Sequence, residues 1–310
     1  MRLAIIGRSE YLYESARLLL AHGHQLALIV TSKEAPEYLY KASDFEALAE
    51  ESGAKFLYTP KINSESIVQQ ITALGKIDLA VSINYAGVIA QEVIDLFPMG
   101  ILNAHGGDLP RYRGNACMAW AILNHENRVG LCIHKMIGGE LDSGDVLARK
   151  HLPIDIDTRV GQTFEWMRRE IPGMMLEAVQ RLQADPLQLF EQQSKNPVEA
   201  LRTYPRLPED GCIDWNRSTE DVLRLINASS EPFSGAFSDL NGQRMIVWRA
   251  ALADDDERYL AIPGQVARIE AGGAVLVIAG TGKLRLLEVE IDGRRTDPAA
   301  FVLSIRTRLR

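Results

Sequence analysis

Asn103 and His105 stand two residues apart at the end of an apolar run, in Ile101-Leu102-Asn103-Ala104-His105-Gly106-Gly107-Asp108-Leu109-Pro110-Arg111-Tyr112-Arg113-Gly114. Side chains two apart on an extended strand share a face, so an amide and an imidazole can converge on one reacting atom. The imidazole exchanges a proton near neutral pH, and the amide can donate a hydrogen bond to developing negative charge. Further on, Gly138-Gly139-Glu140-Leu141-Asp142-Ser143-Gly144-Asp145 sets a carboxylate in a second Gly-rich loop, where Asp142 can orient or charge-stabilise the imidazole. Amide, imidazole and carboxylate together suit acyl transfer. Serine-nucleophile chemistry is not expected, because no Gly-x-Ser-x-Gly elbow occurs, and no His/Cys set has metal-ligand spacing.

These residues need a frame, and the first part of the chain supplies one. Apolar runs at Leu3–Gly7, Gln25–Thr31, Lys55–Tyr58, Leu79–Ile83 and Gly100–Asn103 read as strands. Helical patterns fall between them at Ser9–His22, Asp44–Ser52, Ser64–Leu74 and Gln91–Leu96, with Asp44 expected as a cap and Gly53 as a stop. This alternation predicts an α/β fold, a Rossmann-like, mostly parallel sheet with helices on both faces. Sites in such sheets lie beyond the carboxyl ends of the strands, where Asn103 and His105 fall. A bound dinucleotide is not expected: the turn Gly7-Arg8-Ser9-Glu10 has one glycine where the fingerprint needs three, and Glu10 would repel a pyrophosphate.

The chain of 310 residues, with 46% apolar and 24% charged content, is an ordinary globular composition long enough for two domains. Three cysteines, Cys117, Cys132 and Cys212, indicate no disulfide framework and fit a reducing cytoplasm. A net charge of −7, no cationic leader and no run of membrane-spanning length point away from polyanionic partners and membranes, so the expected location is cytoplasmic.

Asn-x-His, Leu109-Pro110 through Gly114, and Leu141-Asp142-Ser143-Gly144, in this order and spacing, resemble the signature of the folate-dependent formyltransferases. The resemblance implies an N-formyltransferase that takes 10-formyltetrahydrofolate as co-substrate and uses no metal. Asn103, His105 and Asp142 would be its catalytic groups: an acceptor amine attacks the formyl carbon, Asn103 and protonated His105 stabilise the oxyanion, and Asp142 fixes the imidazole. The segment Asn84–Ala90 matches one wall of the family's pterin pocket, implying Tyr85, Gly87, Val88 and Ile89, with Gly138, Gly139, Leu141 and Asp142 as the facing wall.

Beyond Leu182 the breakers Asp185-Pro186, Asn196-Pro197, Tyr204-Pro205 and Leu207-Pro208 make Gln183–Pro208 read as a connector crossing between domains. A helix at Ser218–Asn227 and short strand-like runs follow, with Asn241-Gly242 as a hairpin turn. These features, with Pro205–Gly211, Ile213–Trp215 and Pro232–Phe237, resemble the small OB-like β-barrel domain found behind many formyltransferase domains. The expected division is a catalytic domain at 1–203 and an OB-like domain at 204–310, the latter serving packing or a homodimer contact.

Charge then selects the expected acceptor. Leu207–Arg310 carries thirteen Lys/Arg against sixteen Asp/Glu, and Asp254–Glu257 is an acidic run. The loop Ser32–Lys41, where methionyl-tRNA formyltransferases carry a basic Gly/Arg/Lys segment, has two lysines, two glutamates and no arginine or glycine. This balance predicts no nucleic-acid partner. The expected acceptor is the amine of a nucleotide-linked amino sugar of an O-antigen or lipid A type pathway, held by Arg111, Tyr112, Arg113 and Trp120, with Asp108 beside the amine. Methionyl-tRNA formyltransferase and formyltetrahydrofolate hydrolase are the alternatives.

Overall fold

The computed structural model describes every residue except Glu37 and Asp255, so the loop at 32–41 and the acidic run at 254–257 each contain one residue outside the described set. Two compact units are present: residues 1–114, 130–152 and 164–203 form the first, and residues 115–129, 153–163 and 204–310 the second.

The first unit is built on a seven-stranded sheet. Its strands are β1 (Arg2–Gly7), β2 (Gln25–Thr31), β3 (Lys55–Tyr58), β4 (Leu79–Ile83), β5 (Ile101–His105), β7 (Arg128–Lys135) and β8 (Val146–Pro153), with the two-residue β6 (Arg113–Gly114) and β9 (Arg202–Thr203) paired apart from it. The order is β3-β2-β1-β4-β5-β7-β8; the first five run parallel, and β7 returns antiparallel to β5. β1 and β4 are buried almost throughout, as expected of central strands covered on both faces.

Helices α1 (Glu10–Ala21), α2 (Ala42–Ser52), α3 (Glu65–Thr72) and α4 (Gln91–Ile94) fill the crossovers. α1 buries Tyr11, Leu12, Ser15, Ala16 and Leu19, the spacing of one helical face. Gly53 ends α2 in the left-handed conformation at φ 68°. Asp44 is not the cap: it lies in the first turn, and its carboxylate accepts from the Lys41 N–H at 2.7 Å. The longest helix, α6 (Val160–Ala184), was not read from the sequence, and Pro172 lies inside it. The segment 183–203 does not leave the first unit as a simple crossing. Val146 and Glu191 exchange both backbone hydrogen bonds at 2.8 Å, and β9 pairs with β6.

In the second unit, α5 (Cys117–Leu123) and α7 (Thr219–Ser229) accompany β10 (Ala236–Leu240), β11 (Gln243–Leu252), β12 (Val266–Ile269), β13 (Val275–Ile278), β14 (Lys283–Ile291) and β15 (Arg294–Thr296). The strands form an antiparallel sheet in the order β10-β11-β14-β13-β12, with β15 on β14. Asn241 and Gly242 make the β10–β11 turn, both with positive φ, as the tight hairpin requires. Residues 307–310 lie between the two edges: Asp239 and Arg310 exchange backbone hydrogen bonds, Val266 donates to Thr307 and Leu309 to Gly264. This final stretch gives the sheet its barrel-like closure around Ile213, Trp215, Leu223, Val247 and Leu286.

Candidate active site

β5 leaves the sheet between β4 and β7, and its register aligns Asn103 with Ser82 on one side and His134 on the other. His105 is opposite Cys132. The chain turns at once at Gly107, where a Cβ would fall 2.4 Å from the Tyr112 carbonyl oxygen and 2.5 Å from His105 Nε2, so only glycine allows this loop to fold back over the imidazole.

The Asp142 carboxylate is the hub. Its Oδ2 lies 3.5 Å from His105 Nδ1 and accepts from the Gly114 N–H at 3.0 Å, while its Oδ1 lies 3.4 Å from His134 Nε2 and 3.5 Å from Asn103 Nδ2. Burial pushes this carboxyl upwards, but the His105 and His134 rings and the Gly114 amide outweigh it and hold the group at about 2. Asp142 is therefore a carboxylate throughout the physiological range.

His105 Nε2 is 2.7 Å from the Tyr112 carbonyl oxygen. A carbonyl can only accept, so Nε2 carries a proton, and the Asp142 charge facing Nδ1 favours a proton there too. The arrangement thus favours a cationic imidazolium at the end of β5. An imidazolium next to the Asn103 amide can stabilise an oxyanion, and with Asp142 behind it can pass a proton.

His134, buried on β7, was missed by the sequence reading. Its Nδ1 is 3.0 Å from the Lys135 carbonyl oxygen, which places a proton on Nδ1, and its Nε2 stands 3.1 Å from Asn103 Nδ2 and 3.4 Å from Asp142 Oδ1. His134 thereby sets one ring nitrogen against both the Asn103 amide and the Asp142 carboxylate. Its only sequence signal is a polar residue in a buried apolar strand, Arg128–Lys135. His134→Phe is expected to lower kcat about tenfold, the worth of one orienting hydrogen bond to a catalytic donor. Steady-state kinetics on folded protein check this, and wild-type kcat would show that Asn103 is held by its other contacts.

The residues expected around the acceptor are not gathered as the sequence suggested. Asp108 Oδ1 pairs with Arg149 at 2.7 Å and lies 3.0 Å from His151 Nε2, so its carboxylate is engaged by side chains of β8 rather than presented to an amine. Arg113 donates to the Gln193 side chain and the Ser194 carbonyl, which makes it a brace. Tyr112 is buried, and Arg111 lies with its guanidinium 5.5 Å from the Tyr112 ring centroid. Trp120 belongs to the second unit, where its Nε1–H donates to the Tyr204 carbonyl at 2.8 Å.

The expected pterin walls divide in the same way. Val88 is 60% exposed and Leu141 39%, and Gly87 and Gly139 are exposed, so these can face a ligand. Ile89 is 1% exposed and packs in the core beneath, while the half-buried Tyr85 has its hydroxyl taken by the Ile62 N–H and the Thr59 carbonyl. The two loops meet where Gly138 lies against Gln91, its N–H donating to Gln91 Oε1 at 2.9 Å.

A formyl transferase family model matches residues 1–179, and a formyl transferase C-terminal domain model matches residues 207–305. The chain belongs to the formyl transferase family. It is 29% identical over 299 residues to a methionyl-tRNA formyltransferase of Acetivibrio thermocellus, covering 95% of this chain and 93% of that one. Seven other relatives, at 26–29% identity over 94–98% of this chain, carry the same name. Among solved structures, the N-formyltransferase of Helicobacter canadensis complexed with folinic acid and dTDP-3-aminofucose matches with a TM-score of 0.69 at 15% identity, covering 92% of this chain and 98% of that one. HypX of Aquifex aeolicus with tetrahydrofolic acid matches with a TM-score of 0.63 at 19% identity, covering 96% of this chain and 46% of that one.

The chain is a folate-dependent formyltransferase, a family whose one-carbon donor is 10-formyltetrahydrofolate. Its residues fit that donor: exposed Val88 before α4, with Ile137 and Leu141 on the loop that carries Asp142, offers apolar cover for a flat ring. When bound, the donor supplies an activated formyl group. No helix among the described residues is long and apolar enough to cross a membrane.

The amino-sugar acceptor, and with it the O-antigen and lipid A setting and the expected lack of a nucleic-acid partner, are overturned by these relatives. Likeness to the sugar enzymes, at 14–18% identity, shows the fold alone. The charge argument failed because a total over a hundred residues does not say where cations stand. Beside the 32–41 loop, Arg8 from the β1–α1 turn donates to the Lys33 carbonyl and to the Asn84 carbonyl, with its guanidinium 5.7 Å from the Tyr38 ring centroid. A cation is thus present there from outside the loop's own sequence.

Proposed function

We propose that this enzyme transfers the formyl group of 10-formyltetrahydrofolate to the α-amino group of methionine on charged tRNA, in the cytoplasm. The observation that carries this reading is the similarity to methionyl-tRNA formyltransferases over 93% of the Acetivibrio thermocellus chain, which spans both domains rather than the catalytic motif alone. Asn103 and His105 would stabilise the oxyanion formed as the amine attacks, and Asp142 would hold the imidazolium.

The test offers purified protein and 10-formyltetrahydrofolate three acceptors: methionyl-tRNA, uncharged tRNA, and a dTDP-linked amino sugar. Product is expected with methionyl-tRNA only, and affinity for it should weaken as salt rises, because phosphate contacts release counterions. Formylation of the sugar nucleotide with none on methionyl-tRNA would overturn the reading.

A further inference from the structure

We propose that Gln193 is a positioning residue that holds Asp142 against His105, and that residues 191–203 form a clip fixing the two loops of the site to one another. This rests on the reading that Asp142 serves His105 in formyl transfer.

Gln193 is 7% exposed, and its amide is fully used. Nε2 donates to the Asp142 carbonyl at 2.9 Å and to the Gly144 carbonyl, while Oε1 accepts from Arg113 Nε at 3.2 Å and Nη2 at 2.9 Å. Its backbone N–H donates to Asp145 Oδ1 at 3.2 Å. One side chain therefore joins the loop that carries the carboxylate to the loop that follows His105. Asp142 needs such a tie, because its backbone sits at φ 51°, a conformation that favours glycine and persists only when its surroundings enforce it.

The other end of the clip acts on the same carboxylate. The Arg113 N–H donates to the Leu201 carbonyl at 2.9 Å, and β6 and β9 pair Gly114 with Thr203. Gly114, at φ 116°, lies so close that a Cβ would fall 2.2 Å from the Thr203 carbonyl oxygen. The Gly114 N–H so placed donates to Asp142 Oδ2. Residues 191–193 thus fix the Asp142 backbone, and residues 201–203 fix the donor that orients its carboxylate.

An amide is required at 193, since the two carbonyls need donors and Arg113 needs an acceptor. Gln193→Met keeps the volume and loses both functions; Gln193→Glu keeps the acceptor for Arg113 but faces two carbonyls with no donor. Both are expected to lower kcat about tenfold in methionyl-tRNA formylation, as for loss of orienting hydrogen bonds at a catalytic group. In an Asp142→Asn background the same substitutions should have almost no further effect, because Gln193 acts through the carboxylate. An acceptor-independent readout is the NMR titration of His105, whose midpoint should fall in the uncharged Gln193→Met in the direction it falls in Asp142→Asn.

Should Gln193→Met fail to fold, the kcat comparison of Gln193→Glu with and without Asp142 carries the test. Wild-type kcat in Gln193→Glu, or a wild-type His105 titration in folded Gln193→Met, would overturn the proposal, as would equal losses with and without Asp142. Wild-type turnover in Asp142→Asn would instead overturn the reading on which the proposal rests.

Discussion

His105→Ala is expected to lower turnover by about a hundredfold or more, the usual cost of losing a positioned proton-transfer or oxyanion group. The expectation follows from the placement of the imidazole between the Tyr112 carbonyl and the Asp142 carboxylate, which favours a cation beside the Asn103 amide. Alanine removes the cation and leaves the β5 backbone ladder in place. Folate affinity should change little, because the exposed apolar side chains that we propose cover the donor, Val88, Ile137 and Leu141, lie outside β5 and the loop that follows it. Rapid-quench turnover with thermal melting on the same sample checks it, and a fully folded, fully active variant would remove His105 from the chemistry.

Asp142→Asn is the second large effect. Asparagine keeps the size and can still accept from the Gly114 N–H, but it loses the charge that favours the His105 imidazolium, so kcat should fall steeply. Stability changes too. The folded carboxyl lies at about 2, below its ordinary 3.8, so its contribution is present above the ordinary value and lost as pH falls through the folded one. A shift of this size corresponds to about 2 kcal/mol. The wild-type advantage in melting temperature over Asp142→Asn should therefore be present at pH about 5 and shrink towards pH about 2. A constant difference across that window would mean that the charge does not stabilise the fold.

The central strands and the pair on β5 were legible because local pattern specifies them: full burial makes β1 and β4 continuous apolar runs, and a two-residue spacing puts Asn103 and His105 on one face. Asp142 was legible through the motif that accompanies it. His134 was not, because its role arises from the register of β7 against β5, a long-range pairing with no local signature. Gln193 lay in a stretch whose prolines spoke only of irregular backbone, and what such a segment touches is set by packing. Asp108 and Arg113 carried charges next to the site strand, but both are held by partners distant in sequence, Arg149 and Gln193. The acceptor was misread because a summed charge carries no positions.

The most direct test of formyl transfer at this centre follows the formyl carbon. Wild-type enzyme, methionyl-tRNA and 10-formyltetrahydrofolate isotopically labelled in the formyl group are combined, the tRNA is hydrolysed, and the released amino acid is analysed by mass. Label on the methionine nitrogen, lost together with turnover in His105→Ala, is the expected result; label recovered as free formate, with unmodified methionine, would contradict it.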